Sequence, residues 1–186
     1  MKATNVESLF GLMDEAITLL QTEVELTYIE ALSETLENLS FEAKAQQVEG
    51  LPSIEAVERL NSLYKKMNLD ALDKEIIRKS IQLTFIKATK EDKLQMNHQM
   101  TPDTIAYLIA YFIGEIKKDK TEKLHVSDLA AGTGNLLNIV VAHLTSRGNE
   151  VTAEAVDNDD LLISVAANSG ALLGFSEKIH YTHSDS

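Results

Sequence analysis

Asp128-Leu129-Ala130-Ala131-Gly132-Thr133-Gly134-Asn135 is a glycine-containing turn between two apolar segments, and it determines the class of fold. The residues that lead into it, 124–129, are apolar enough to predict a short buried strand. The residues that follow it have apolar side chains at helical spacing and predict a helix. The members of that helical pattern are Leu136, Leu137, Val140, Val141 and Leu144. The turn therefore joins a strand to a helix.

The same alternation continues on both sides of the turn. A second strand is predicted at 151–156, a second helix at 159–173, and a third strand at 178–182. Before the turn, Thr101 and Pro102 suit the cap and the first position of another helix. Its wide apolar face consists of Ile105, Leu108, Ile109, Phe112, Ile113 and Ile116. Strands that alternate with helices predict parallel units with right-handed crossovers, and hence an α/β fold.

A ligand site is expected where the strands end. In open parallel sheets, ligands bind at the carboxyl ends of the strands. Gly132 and Gly134 allow a sharp backbone turn and a close approach to the start of a helix. Asp157 follows the second strand, where a carboxylate can accept hydrogen bonds from both hydroxyls of a ribose. These residues predict a cofactor that contains a nucleoside.

The surrounding residues narrow the kind of cofactor. A dinucleotide fingerprint would have a third glycine where Leu137 stands, and a phosphate loop would have a Lys-Ser/Thr pair instead of Asn135-Leu136. No Lys or Arg lies between Lys123 and Arg147, and Asp128 adds a negative charge. A cationic sulfonium with an ammonium group, as in S-adenosylmethionine, suits this site better than pyrophosphate does. A tight strand–helix turn without any ligand is the alternative.

Residues 97–185 resemble the first half of a class I S-adenosylmethionine-dependent methyltransferase. More narrowly, they are similar to bacterial adenine-N6 DNA methyltransferases such as the modification subunits of type I restriction systems. The resemblance rests on the segment 97–102, on the glycine turn, and on Asp157 with its neighbour Asn158. It implies a Rossmann-like parallel sheet and S-adenosylmethionine as cofactor.

The resemblance also assigns expected cofactor-binding residues. The segment 97–102 would close over the methionine end of the cofactor, Asn158 would touch the adenine, and Asp185 would bond the adenine amino group. Asp157 would hold the ribose. The full set of expected cofactor-binding residues is Thr101, Asp128, Ala130, Gly132, Gly134, Asn135, Asp157, Asn158 and Asp185.

One family motif is missing from these 186 residues. Related enzymes have an Asn/Asp-Pro-Pro-Tyr/Phe sequence after the fourth strand, which holds the target amino group and stacks on the flipped base. The only prolines here are Pro52 and Pro102, and neither lies in that context. We therefore expect no catalytic residue in this chain. The interpretation is a domain truncated before its catalytic motif, so that the 186 residues alone are inactive.

The first half of the chain is of a different kind. Residues 1–96 contain almost no Gly or Pro and repeat apolar residues at helical spacing, interrupted at Gly50-Leu51-Pro52-Ser53. Asp70 is a plausible cap for the last of four helices. We therefore predict two domains: an N-terminal helical domain at 1–96 and a partial S-adenosylmethionine-binding domain at 97–186. The resemblance supports this division, since such proteins often have a helical N-terminal domain.

Composition and charge restrict the remaining classes of protein. With 44% apolar and 25% charged residues the chain is typical of a soluble globular protein, and without cysteine it has neither disulfides nor thiolate metal sites. The five histidines form no metal-ligand pattern, so no metal is expected. No export or membrane segment is visible, which predicts a cytoplasmic protein. The net charge of −12 argues against strong nonspecific binding to nucleic acid.

Two classes of function stay open at this point. One is an enzyme whose full-length form methylates adenine N6 in DNA, with DNA as its partner. The other is a non-catalytic module that binds the cofactor or serves as a scaffold, with the acidic helices of residues 1–60 docking to a partner protein. The first strand, 124–129, is expected to have one unpaired edge, which invites self-association.

Overall fold

The computed structural model describes residues 2–94, 100–117 and 123–184. The chain divides into two compact units, Met1–His98 and Gln99–Ser186. The first is helical, and the second contains a parallel sheet with helices. The prediction of a helical domain followed by the first strands of a Rossmann-like parallel sheet is therefore confirmed.

The helical unit has four α-helices among its described residues. They are α1 (Val6–Val24), α2 (Tyr28–Ser40), α3 (Ile54–Met67) and α4 (Lys74–Glu91), with a 3-10 turn at Leu69–Ala71 before α4. Helix α1 packs against each of the other three helices. Its buried face follows the helical spacing of the sequence, so the apolar periodicity places the core correctly. That face consists of Leu9, Met13, Ala16, Ile17 and Leu20.

Side-chain caps fix where these helices begin. The Asn5 side chain accepts a hydrogen bond from the Ser8 amide, and Thr27 forms a capping box with Glu30. The prediction that Asp70 caps the fourth helix is wrong, because Asp70 lies in the 3-10 turn and Asp73 accepts from the Glu75 amide instead. The 3-10 turn delays the start of α4, and the apolar pattern alone does not reveal it.

A polar network joins α1, α2 and α4. The Asp14 carboxylate accepts from the Tyr28 hydroxyl at 2.6 Å and from the Lys87 ammonium at 2.6 Å. Asp92 accepts from the first two backbone amides of α2, at 3.1 and 2.7 Å. Burial and the bond to Asp14 raise the pKa of the Tyr28 hydroxyl, and Asp14 raises the pKa of the Lys87 ammonium. These bonds hold three helices in one arrangement.

The second unit has three strands and three helices among its described residues. They follow the order α5 (Asp103–Ile116), β1 (Leu124–Asp128), α6 (Asn135–Ser146), β2 (Val151–Asp157), α7 (Asp160–Leu173) and β3 (Ile179–His183). The strands pair in parallel in the order β1-β2-β3, so that Asp128 lies opposite Ala155 and Asp157 opposite His183. Among the described strands, β1 pairs with β2 alone.

The first strand is buried on one face only. Along β1, Leu124 is buried while His125 and Ser127 are exposed. The expectation of a buried first strand therefore holds for one face of the strand only. The alternation has the two-residue period of a half-covered strand. The buried face joins the apolar sides of α6 and α7 in one core.

Helix α5 packs through its small residues rather than through its wide apolar face. Ala106, Ala110 and Gly114 are buried, and α5 packs chiefly against α6. Side chains without bulk let two helices approach closely, and at Gly114 the guanidinium of Arg147 occupies the space. The large apolar side chains of the predicted face are instead partly exposed. The most exposed are Ile105, Leu108, Phe112 and Ile116, at 47–78%.

Candidate functional site

The glycine turn connects β1 to α6 at the carboxyl end of the sheet. Gly132 and Gly134 have φ values of +52° and +73°, a backbone region that favours glycine. The amide of Gly134 donates to the Ala131 carbonyl at 2.8 Å, which closes the turn. Gly134 then stands at the N-cap of α6 without a side-chain cap. The prediction of a sharp turn that opens a helix agrees with this geometry.

The two glycines differ in the space around them. A Cβ atom added at Gly134 would lie 3.1 Å from the Cβ of Ala166, so a larger residue here would have to displace α7 by a few tenths of an ångström. A Cβ atom added at Gly132 would meet no heavy atom of the described residues within 4 Å. The turn is therefore packed on one side and open at Gly132. That open side is where a ligand can approach the backbone.

Asp157 ties the end of β2 to the glycine turn. Its Oδ2 accepts from the Gly132 amide at 2.7 Å, and its Oδ1 accepts from the Asp159 amide at 3.0 Å. The Ala131 amide adds a bond to the Val156 carbonyl at 3.0 Å. The carboxylate expected to bind ribose thus adjoins the turn. A carboxylate has about four acceptor positions, so hydroxyl groups can still bind beside these two amides.

The other expected site residues are arranged around the same turn. Asp128 is half-buried and its carboxylate accepts from the Ala130 amide at 3.3 Å, while Ala130 itself is exposed. Asn158 is exposed, and its carbonyl lies 3.2 Å from Nε2 of His183. Asp185 lies outside the described residues, as do positions 97–99 of the segment expected to close over the cofactor.

Thr101 and Asn135 contact each other, which the sequence did not predict. The prediction that Thr101 caps α5 is wrong, because Pro102 occupies the N-cap position and the helix has no side-chain cap. Instead, Nδ2 of Asn135 donates to the Thr101 carbonyl at 3.1 Å and to Oδ1 of Asp103 at 3.3 Å. Asp103 borders the candidate site, and the sequence analysis did not single it out. Its sequence signal is an acidic residue in the first turn of α5, the helix that begins beside the candidate site.

Negative charge predominates at this end of the sheet. Asp103, Asp128 and Asp157 are all partly buried. The two bases that flank the turn in sequence are already in ion pairs, Lys123 with Glu150 at 2.7 Å and Arg147 with Glu115 at 3.0 Å. A site of this charge favours a ligand with cationic groups over an anionic phosphate.

The described ranges lack two features that would indicate other kinds of site. Across 2–94, 100–117 and 123–184, no group of three or more His, Asp or Glu side chains gathers as metal ligands would. No helix among these residues combines the length and apolar character needed to cross a membrane.

Comparison with known proteins gives a family match for the helical unit and similar proteins for the chain as a whole. Residues 7–89 match the family described as the YtxK N-terminal helical domain. Over its 186 residues the chain is 33% identical to the uncharacterized protein YtxK of Bacillus subtilis strain 168, of which it covers 54%. It also resembles a crystal structure at 2.20 Å of a Listeria monocytogenes protein provisionally named a class I S-adenosylmethionine-dependent methyltransferase.

The structural likeness to the Listeria protein is close. The TM-score is 0.78 at 36% sequence identity, with 94% of this chain and 52% of that chain covered. The chain therefore spans about half the length of both relatives. Neither relative's name mentions DNA, adenine or a restriction system. The expectation that the methyl acceptor is adenine N6 in DNA therefore stays a prediction.

Proposed function

We propose that this chain holds the cofactor-binding half of a class I S-adenosylmethionine-dependent methyltransferase. The single observation that supports it best is the junction of the open Gly132 turn with the Asp157 carboxylate at the ends of neighbouring parallel strands. The likeness to a Listeria protein provisionally named as such an enzyme supports the same proposal. The charge at the turn supports a cationic cofactor over a dinucleotide.

The residues of the site fit S-adenosylmethionine. Asp157 would accept hydrogen bonds from the ribose hydroxyls, and the open backbone at Gly132 would lie against the methionine part. Asp128 and Asp103 would favour the positive charges of the cofactor. When bound, the cofactor supplies a methyl group on a cationic sulfur, which a nucleophile can attack directly. The contribution of this chain is to bind and orient that group.

A second, more specific proposal concerns the group that accepts the methyl. We propose adenine N6 in DNA, on the resemblance of the glycine turn and of Asp157-Asn158 to adenine-N6 DNA methyltransferases. Since the Asn/Asp-Pro-Pro-Tyr/Phe motif is absent from the sequence, the residues that hold the acceptor would lie outside these 186 residues. DNA would then be a partner of the longer protein.

Direct binding tests the cofactor proposal. Equilibrium dialysis with tritiated S-adenosylmethionine should show saturable binding to the chain. Asp157→Ala should weaken it by about 10- to 100-fold, because a charged hydrogen-bond acceptor is lost. Asp160→Ala is the matched control, since the side chain of Asp160 is 89% exposed and follows shortly after Asp157 in the chain. Absence of saturable binding at millimolar cofactor would reject the proposal.

A transfer assay tests the acceptor. A protein that extends this chain to the length of its relatives should transfer tritiated methyl groups to unmethylated DNA, and digestion should release N6-methyldeoxyadenosine. Label in another nucleoside, or in protein, would reject adenine N6 while leaving the cofactor proposal intact. The 186-residue chain in the same assay should transfer none.

Self-association through β1 is a separate proposal. Among the described strands β1 pairs on one edge only, and unpaired backbone groups favour pairing with another chain. Light scattering across a range of protein concentrations should show a rising average mass. A constant monomer mass would reject it.

A further inference from the structure

The buried side chain of Asn135 connects two parts of the second unit that are far apart in sequence. Asn135 is 7% exposed and is the first residue of α6, directly after the glycine turn. Its Nδ2 donates to the carbonyl of Thr101 at 3.1 Å and to the carboxylate of Asp103 at 3.3 Å. Residues 101–103 therefore lie beside the start of α6.

The start of α5 lacks a side-chain cap of its own. Pro102 at its N-cap offers no side-chain hydrogen bond to the first turn, whereas Ser, Thr, Asp or Asn would. The first-turn amides of Ile105 and Ala106 bond within the turn, to the Pro102 carbonyl at 3.0 Å each. A helix end without a side-chain cap frays more readily than a capped one. The hydrogen bonds from Asn135 hold the start of α5 in place, which the residue at the N-cap position does not do.

We propose that Asn135 is a positioning residue for the cofactor site rather than a direct ligand of the cofactor. Its amide holds the Thr101 backbone and the Asp103 carboxylate against the glycine turn, so that this wall of the site is in place before the cofactor binds. The proposal rests on the proposed function. It revises the expectation that Asn135 is itself a cofactor-binding residue, because its Nδ2 donates to residues 101 and 103.

The chemistry of the amide makes the proposal specific. Both partners are acceptors, a carbonyl and a carboxylate, so position 135 must donate. Asn135→Ala removes the donor. Asn135→Asp replaces it with a second carboxylate facing Asp103, which adds repulsion between like charges. When Asn135→Asp is combined with Asp103→Asn, the new amide at position 103 can donate to the new carboxylate at position 135 and restore one bond.

The test combines hydrogen exchange with binding, both on the whole chain. In Asn135→Ala, the amides of Ile105 and Ala106 should exchange about tenfold faster than in the wild type, and faster still in Asn135→Asp. The dissociation constant for S-adenosylhomocysteine should rise about tenfold, since the competent arrangement becomes a fraction of the population. The double variant should recover part of the lost exchange protection relative to Asn135→Asp, because one hydrogen bond between positions 135 and 103 is restored.

Asn149→Ala is the matched control. Asn149 is also 7% exposed and lies shortly beyond the other end of α6. Its Nδ2 has no hydrogen-bond partner among the described residues, so its removal takes no bond from residues 101–103. This substitution should leave the amide exchange of Ile105 and Ala106 unchanged relative to the rest of the chain. It should also leave the dissociation constant for S-adenosylhomocysteine unchanged.

Three outcomes would overturn the proposal. Unchanged exchange at Ile105 and Ala106 in Asn135→Ala would show that Asn135 does not anchor α5. Faster exchange with an unchanged dissociation constant would show an anchor without a role in the site. An equal loss of affinity in Asn149→Ala would show that the weaker binding of Asn135→Ala comes from a general loss of stability of the second unit. If the wild type binds no S-adenosylhomocysteine, the proposed function fails, and the exchange data still decide whether Asn135 anchors α5.

Discussion

Replacing Asp157 should damage the folded protein as well as its affinity for a cofactor. The carboxylate accepts from the Gly132 amide at 2.7 Å and from the Asp159 amide at 3.0 Å. Asp157→Ala removes this acceptor from both amides. Because one of them belongs to the glycine turn, the turn should become the least protected part of the second unit.

The size of the effect follows from these two bonds. A buried hydrogen bond to a charged acceptor contributes about 1.5–3 kcal/mol to stability. Asp157 is half-buried, so water competes for the amides and we expect about 2 kcal/mol for the pair. For a unit of this size, that loss lowers the melting temperature by about 8–16 °C. Asp157→Asn keeps one acceptor oxygen and should lose about half as much.

Calorimetry and amide exchange together measure this prediction. The melting transition should fall in the order wild type, Asp157→Asn, Asp157→Ala, and the Gly132 amide should lose protection in the same order. Asp160→Ala is the control, and it should melt with the wild type because its carboxylate is largely exposed. Wild-type melting together with wild-type protection of Gly132 in Asp157→Ala would show that the carboxylate does not hold the turn.

Three further predictions concern stability. Asp92→Ala should lower the free energy of unfolding by about 1–2 kcal/mol, because α2 loses the acceptor of its first two amides. Urea unfolding followed by circular dichroism measures this, and an unchanged midpoint would contradict it. In the same experiment, Tyr181→Phe should leave the free energy of unfolding unchanged or raise it by up to about 1 kcal/mol. The reason is that the buried hydroxyl of Tyr181 has no hydrogen-bond partner among the described residues. A clear loss of stability would count against this. Hydrogen bonds from Thr27 lower the pKa of Glu30 below its ordinary 4.5, so the stability from the ionised carboxylate is present above that value and is lost as the pH falls through the folded-state pKa. Glu30→Gln should therefore be less stable than the wild type at about pH 6, and the difference should shrink as the pH falls through the folded-state pKa of Glu30. A difference that stays constant over that range would reject the assignment.

Local patterns predicted the elements and the expected position of the site. The helical spacing of α1 located its buried face, and the alternation of strands and helices predicted the parallel sheet. The glycines at 132 and 134 and the acid at 157 indicated a site at the strand ends, because each signal lies within one element or one turn. The strand and helix limits differ slightly from the prediction, as at Leu129, which follows β1 instead of ending it.

The contacts that assemble the candidate site are not local. The bond from Asn135 to Thr101 spans 34 residues, and the bond from Gly132 to Asp157 spans 25. Each needs a tertiary arrangement that no periodicity encodes. The same limit explains α5: its apolar pattern predicted packing through the large side chains, whereas Ala106 and Ala110 allow the closer approach to α6.

An amide NMR titration of the chain with S-adenosylhomocysteine decides whether the glycine turn is a cofactor site. Saturable shifts should be largest at Gly132, Gly134 and Asp157, with smaller changes at the start of α5. The Asp157→Ala variant should require a higher ligand concentration for the same shifts. Saturable shifts centred elsewhere, or none at millimolar ligand, would contradict a cofactor site at the glycine turn.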